Sequence, residues 1–203
     1  MANNKKIVEE IAARHWSVCN FLALSLKTAT LTALATANRS QFLAAIQLSN
    51  CIWSVDDLKI MITDLIKMSQ PGAPQPLLIL PFFKDRSSIC VASTIRLKIW
   101  RTSHLRKSDA LFISHRPPYK GIGAQSISRW IKQVLGDSGI DTRIFSSHSV
   151  RHVSSSKAAS HVIDVKIILN SAGWTTRSTV FAKFYNRPIL SNPSGFSHFI
   201  RNY

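Results

Sequence analysis

The sequence predicts an α+β domain that is mostly α-helical and carries one small antiparallel sheet of three strands. Three observations carry this reading. Apolar residues recur at helical spacing through most of the 203 residues. The period changes between Cys51 and Pro81, where three short runs read as strands. The composition, 45% hydrophobic and only 18% charged, supplies enough apolar surface for a real core. No internal repeat or low-complexity block is present, so one domain is the natural count.

The elements follow in order. Residues 3–26 are mostly helical in pattern, with Ile7, Val8, Ile11 and Ala12 on one face and Glu9, Glu10 and Arg14 opposite. A break is expected near Ser25. A second, strongly apolar helix runs from Thr28 to Ala37 through Leu31, Leu34 and Ala35. Arg39 to Ile46 continues as another helix carrying Phe42, Leu43 and Ile46. Strands are expected at Cys51 to Val55, Lys59 to Ile66 and Pro76 to Pro81, the last two joined by the turn-rich stretch Met68 to Pro74. Pro74 and Pro76 give the last strand an edge position or an irregular start. Cys90 to Trp100 returns to helical spacing, and Arg101 to Lys107 reads as a basic loop. Leu111-Phe112-Ile113 is an apolar run of strand length, and His115 to Ile122 is a loop around Pro117-Pro118. Ala124 to Leu135 is an amphipathic helix through Ile127, Trp130, Ile131 and Val134, ending near Gly136 and Gly139. Ser147 to Ala159, Ile163 to Ser171 and Ser178 to Tyr185 are three more helical segments, and a poorly patterned tail follows. Trp53 and Trp100 are expected in the core.

Charge narrows the partners. The chain has 26 Lys and Arg against 10 Asp and Glu, a net charge of +16. Such an excess repels itself in a compact fold unless a polyanion is near. No apolar run approaches the ~20 residues of a membrane helix, and the first residues lack the apolar core of a secretion signal. Nucleic acid is therefore the expected partner, with no membrane association. Cys19, Cys51 and Cys90 are odd in number and far apart, so reduced thiols in a nuclear or cytoplasmic setting are expected. The seven histidines form no zinc spacing, and no metal or cofactor is expected.

The most informative stretch is Ser147-His148-Ser149-Val150-Arg151-His152, followed by Gly173-Trp174 and then Phe184-Tyr185. His-x-x-Arg is a weak signal alone, and His198-Phe199-Ile200-Arg201 in the tail is an accidental second copy. The first copy differs because it opens a helix and is followed by an apolar helix, a Gly-Trp corner and a short helix ending in tyrosine. These residue types suit a phosphodiester. Guanidinium forks stay charged and match the negative charge that grows at the pentacovalent transition state. A phenol, with a pKa of about 10, needs cationic neighbours or a base to become a nucleophile. A covalent phosphotyrosine conserves bond energy, so the strand can be resealed without a cofactor. The bland alternatives are a helix start with a solvated Arg151, capped by Ser146 or Ser147, and a core tyrosine at Tyr185.

Taken together, these lines resemble the tyrosine recombinase (phage-integrase-like) family, and more narrowly its branch in DIRS-type retroelements. The resemblance rests on Ser147 to Arg151, on Ser171-Ala172-Gly173-Trp174 running to Thr179, and on Phe181 to Pro188. Upstream, Ala33 to Ser40 resembles the family's first arginine box, and Leu65 to Gly72 resembles the β-hairpin bearing its lysine. It covers about residues 16–190. It implies a DNA breaking-rejoining fold, with a possible clamp-domain remnant in residues 1–25, a catalytic domain over 26–190 and a tail at 191–203. It also implies a role for each residue. Arg39 and Arg151 clamp the scissile phosphate. His148 hydrogen-bonds it and is the candidate acceptor of the tyrosine proton. Trp174 donates its indole N–H, Lys67 protonates the 5′-hydroxyl leaving group, and Tyr185 is the nucleophile. Lys59, Lys84 and Lys98 compete with Lys67 for that role. Double-stranded DNA is the implied partner, with a homo-oligomer, a tetramer, assembled on it.

Two departures from the family pattern bear on activity. Phe42 stands where many members have a glutamate, with Gln41 beside it, and the usual N-terminal clamp is absent or reduced to residues 1–25. They motivate a second reading, a degenerate recombinase domain that only binds DNA. A type IB topoisomerase is the third. An RNA-binding domain of the RNP type lacks its aromatic motif here. Arg101, His104, Arg106, Lys107, Arg116, Lys120, Arg129 and Lys132 are candidate contacts to the DNA backbone, with a solvated basic surface the equal alternative.

Overall fold

The computed structural model describes residues 20–64, 77–159, 164, 167 and 168. Its central element is α1, Phe21–Thr36, which packs against four other helices. Asn20 caps its start by accepting from the Ala23 N–H at 2.9 Å. Its last turn closes where Ala37 adopts φ 52 and donates its N–H to the Ala33 carbonyl at 2.9 Å. Most of α1 is buried, polar residues such as Ser25 and Lys27 included, as expected for a helix surrounded by other elements. It also holds four threonines, and each hydroxyl finds a partner within the helix. Thr28, Thr30, Thr32 and Thr36 donate to the carbonyl one turn back at 2.7–2.9 Å. The same device removes the break expected near Ser25. Its Oγ donates to the Phe21 carbonyl at 2.9 Å, and the helix runs through.

A short helix α2, Ser40–Ala44, sets Phe42 and Leu43 into the core. The sheet follows, with strands β1 (Cys51–Trp53), β2 (Asp57–Met61) and β3 (Leu77–Pro81) in the order β1-β2-β3, all antiparallel. Strand β2 begins two residues earlier than its apolar pattern suggests, because Ser54 organises a tight turn. Its hydroxyl accepts from the Asp57 N–H at 2.9 Å and donates to the Asp57 carboxylate at 2.8 Å. The strand also ends by Met61 rather than Ile66. Alternation then sorts the faces. Leu58, Ile60, Leu78 and Leu80 are buried, while Ile52 and Ile79 flank Lys59 on the outer face. Strand β3 is an edge, as its prolines indicate. The run Leu111-Phe112-Ile113 is buried and forms no strand of its own, and isolated bridges link Ala110 to Gln47 and Ile113 to Gly121.

Helix α3 is Val91–Thr102, α4 is Ala124–Asp137, and α5 is Ser147–Ala159. The stripe Ile127, Trp130, Ile131, Val134 and Leu135 of α4 is wholly buried. The expected helices at Ile163 to Ser171 and Ser178 to Tyr185 fall outside the described residues, apart from Asp164, Ile167 and Ile168.

Helix α3 inverts the hydropathy expectation. Trp100 is 71% exposed while Lys98 is completely buried. The aliphatic positions Val91, Ala92 and Ile95 fix the inward face, and a period of 3.6 then carries Lys98 in and Trp100 out. Trp53 is also partly exposed. It stacks on Phe82 at 6.4 Å, with the Arg96 guanidinium 5.1 Å from its ring and 4.4 Å from that of Phe82.

The Lys98 Nζ donates to Ser25 Oγ at 2.6 Å and lies 4.7 Å from the Phe21 ring centroid. Burial, and then the like charge of Arg106, bring its pKa down from 10.5 to about 7. Between those two values the unfolded chain binds one proton more than the folded one, so stability climbs with pH through that window. Below it the whole cost of the buried ammonium is present. Lys98→Met is therefore expected to stabilise the fold by about 1–4 kcal/mol at pH 6, with the gain shrinking as pH approaches 10. Urea unfolding of both proteins at pH 6 and pH 9 checks this, and a gain that does not vary with pH would contradict it.

Candidate active site

Two segments far apart in sequence meet at the C-terminal end of α1. The first is the exit from α1. After Ala37 turns the chain, Asn38 is buried and Arg39 is half-buried in extended backbone, φ −76 and ψ 154, immediately before α2. The second is the start of α5. Here the Ser146 hydroxyl accepts from the His148 N–H at 3.3 Å, and the Ser149 hydroxyl accepts from the Ser146 N–H at 3.1 Å. Ser146 thus caps the helix, His148 stands exposed in its first turn, and Arg151 points inward.

Arg151 is 3% exposed, so it is no solvated helix-start arginine. Its Nη1 donates to the Ala37 carbonyl at 2.8 Å, across 114 positions of sequence. That bond brings the buried guanidinium to the segment bearing Arg39. A second connection runs through α4. Ser147 Oγ donates to Ser128 Oγ at 3.1 Å, and Ser128 Oγ lies 2.9 Å from Ser40 Oγ. The residue before His148 and the residue after Arg39 are therefore bridged by one hydroxyl. The sequence places Ser40 at the end of the arginine box and Ser147 at the start of the His148 motif as a candidate cap, and carries no signal that links either to Ser128. A lone serine has no periodic signature, and the three positions are distant in the chain.

The arrangement fixes one cation, Arg151, at the junction of α1 and α5, bonds it to the carbonyl two residues before a second, Arg39, and places the His148 imidazole where a helix N-terminus favours negative charge. Such a set can receive a phosphate. Lys67, Trp174 and Tyr185, which complete the expected set, lie outside the described residues. Of the rival lysines, Lys98 is excluded by position. It bonds to Ser25, twelve residues before Ala37 along α1, which at 1.5 Å per residue is about 18 Å from this junction. Phe42 is 4% exposed and belongs to the core, while Gln41 faces solvent. The position of the missing carboxylate is thus filled by a packing residue.

The basic surface divides in two. Arg116, Lys120, Arg129 and Lys132 are exposed. Arg106 is not part of a free loop. Its Nη1 donates to the Ala110 carbonyl at 2.7 Å and its Nη2 to the Leu111 carbonyl at 3.2 Å, tying down the segment before α4. Among the described residues no group of three His, Cys, Asp or Glu side chains is placed to hold a metal, and no described helix is long and apolar enough to cross a membrane.

The profile of the phage integrase family matches residues 5–189. Solved structures share the fold at low identity. The XerH site-specific recombinase bound to its difH substrate, before cleavage, is 12% identical with a TM-score of 0.68, over 90% of this chain and 48% of that one. The XerA recombinase is 15% identical with a TM-score of 0.62, over 99% of this chain and 61% of that one. A lambda integrase tetramer bound to a Holliday junction is 15% identical with a TM-score of 0.50, over 93% and 48%. The chain thus spans about half the length of the first of these. None of the curated proteins matches it by sequence.

Proposed function

The chain belongs to the phage integrase family of tyrosine recombinases, and from that membership we propose that it breaks and rejoins double-stranded DNA at specific sites through a 3′-phosphotyrosyl intermediate. The observation that supports this best is the bond from the buried Arg151 guanidinium to the Ala37 carbonyl, two residues before Arg39. It draws the two arginine boxes to one place, as a two-arginine phosphate clamp requires.

In this reading Arg39 and Arg151 hold the non-bridging oxygens of the scissile phosphate, and the Trp174 indole donates to one of them. The Tyr185 oxygen attacks phosphorus and its proton passes to His148. The bond from phosphorus to the 5′-oxygen breaks, and Lys67 supplies the proton that oxygen takes. Attack by a 5′-hydroxyl on the phosphotyrosine reverses the sequence and reseals a strand. The exposed Arg116, Lys120, Arg129 and Lys132 contact the DNA backbone, which makes binding salt-sensitive. Strand exchange needs paired sites, so a homotetramer on DNA is the working form, as in the lambda integrase complex with a Holliday junction. The Gly173-Trp174 corner and the Phe184-Tyr185 line favour the DIRS-type branch, a transposable element, as its source.

One observation favours a second reading, a domain that binds DNA without cutting it. Phe42 is a core residue, so no carboxylate supports Arg39 from that position. The test uses duplexes nicked near the scissile position, in a mixed-sequence pool, so that cleavage traps the covalent product. Strand cleavage predicts an adduct that survives denaturant. Salt-sensitive binding with no adduct would move the function to the binding-only reading. Relaxation of plasmids without site preference would move it to a topoisomerase.

A further inference from the structure

We propose that Ser128 is a positioning residue for the phosphate site. Its hydroxyl on α4 fixes the Arg39 segment relative to the His148 segment. The proposal rests on the strand-cleavage reading above. Ser128 belongs to neither segment. It reaches Ser40, 88 positions before it, at 2.9 Å and Ser147, 19 positions after it, at 3.1 Å. A hydroxyl has one proton and two acceptor lone pairs. Ser147 donates to Ser128, and in the second bond either Ser128 or Ser40 can donate, so the three hydroxyls form a continuous relay across the junction. Ser40 is buried and directly follows Arg39, and Ser147 directly precedes His148. The anchor is rigid, because Ser128 stands between Ile127 and the Trp130-Ile131 pair of the α4 stripe, all wholly packed.

The consequence is geometric rather than electrostatic. Without the Ser128 hydroxyl, α4 stays in place through its apolar stripe, and Arg151 still bonds to Ala37. The first turn of α5 then loses its link to the residue after Arg39. A displacement on the order of 1 Å in a positioning group can cost roughly a hundredfold in rate.

The test compares Ser128→Ala, Ser128→Thr and a control, Ser126→Ala, whose hydroxyl on the same helix accepts from Arg129 at 3.2 Å and bridges neither segment. Two quantities are read in the full chain. One is the position of the His148 ring resonances, identified with His148→Gln. The other is the single-turnover rate of adduct formation on saturating nicked duplex, alongside the DNA Kd and the melting temperature. Ser128→Ala is expected to move the His148 ring signals and to slow cleavage roughly ten- to a hundredfold, with Kd and melting temperature unchanged. Ser128→Thr restores both, and Ser126→Ala leaves both alone. Unmoved His148 signals, a rate loss that follows Kd or melting temperature, failure of threonine to rescue, or an alanine variant that does not fold would each overturn the proposal. A wild-type protein that forms no adduct would refute strand cleavage, while the His148 signals would still decide the role of Ser128.

Discussion

Tyr185→Phe is expected to abolish covalent adduct formation on nicked duplexes while leaving DNA affinity and its salt dependence unchanged. The substitution removes one oxygen and keeps the ring, so packing survives and the nucleophile does not. No partial activity is expected, because water attacking the same phosphate would give a free 3′-phosphate rather than a protein-linked one. The comparison is sharpened by composition. The chain has only three tyrosines, Tyr119, Tyr185 and Tyr203. Tyr119 lies in the loop after Pro118 with φ 56, its ring 6.4 Å from Phe21. Tyr203 is the last residue of the sequence, beyond the tyrosine line of the motif. Adduct at wild-type yield in Tyr185→Phe would remove the nucleophile assignment.

Arg151→Ala is expected to act twice. It removes a charge-assisted bond to a buried carbonyl, which costs about 1–3 kcal/mol of stability, a fall in melting temperature of roughly 2–12 °C for a domain of this size. In the proposed strand cleavage it also removes a fixed cation from the scissile phosphate, which is expected to cost roughly 10²–10³ in cleavage rate. Arg151→Lys separates the two effects. The ammonium keeps the charge and a donor for Ala37, so stability recovers in part, while the lost fork keeps cleavage slow. Calorimetry and single-turnover kinetics on the same preparations check this. An alanine variant that loses stability but cleaves at the wild-type rate would make Arg151 a structural residue only.

The order of the elements was legible because it depends on periodicity. The α4 stripe, the three short strands and the proline-marked edge are each local patterns, and each is present in the order read, with β1 ending at Trp53 and β2 running from Asp57 to Met61 instead of Lys59 to Ile66. What failed depended on context. Ser25 looked like a break because serine competes for backbone bonds outside helices. Inside this buried helix it bonds one turn back instead. Trp100 looked like core because a large aromatic ring has much apolar surface to bury, yet the facing of α3 is decided by its aliphatic neighbours. Lys98, a rival for the catalytic lysine, is buried against Ser25 and two phenyl rings, a pairing no local pattern announces. The site shows the same division. The His148 and Arg151 spacing could be read directly. The bond to Ala37 and the Ser40, Ser128 and Ser147 relay could not, because they join positions brought together only by the packing of α1, α4 and α5.

The central claim is that Tyr185 carries the DNA during strand exchange. The most direct measurement digests the denaturant-stable adduct and identifies by mass spectrometry the peptide that bears the nucleotide remnant. The account predicts a 3′-phosphate ester on Tyr185. A remnant on Tyr119, on Tyr203 or on any serine would contradict it.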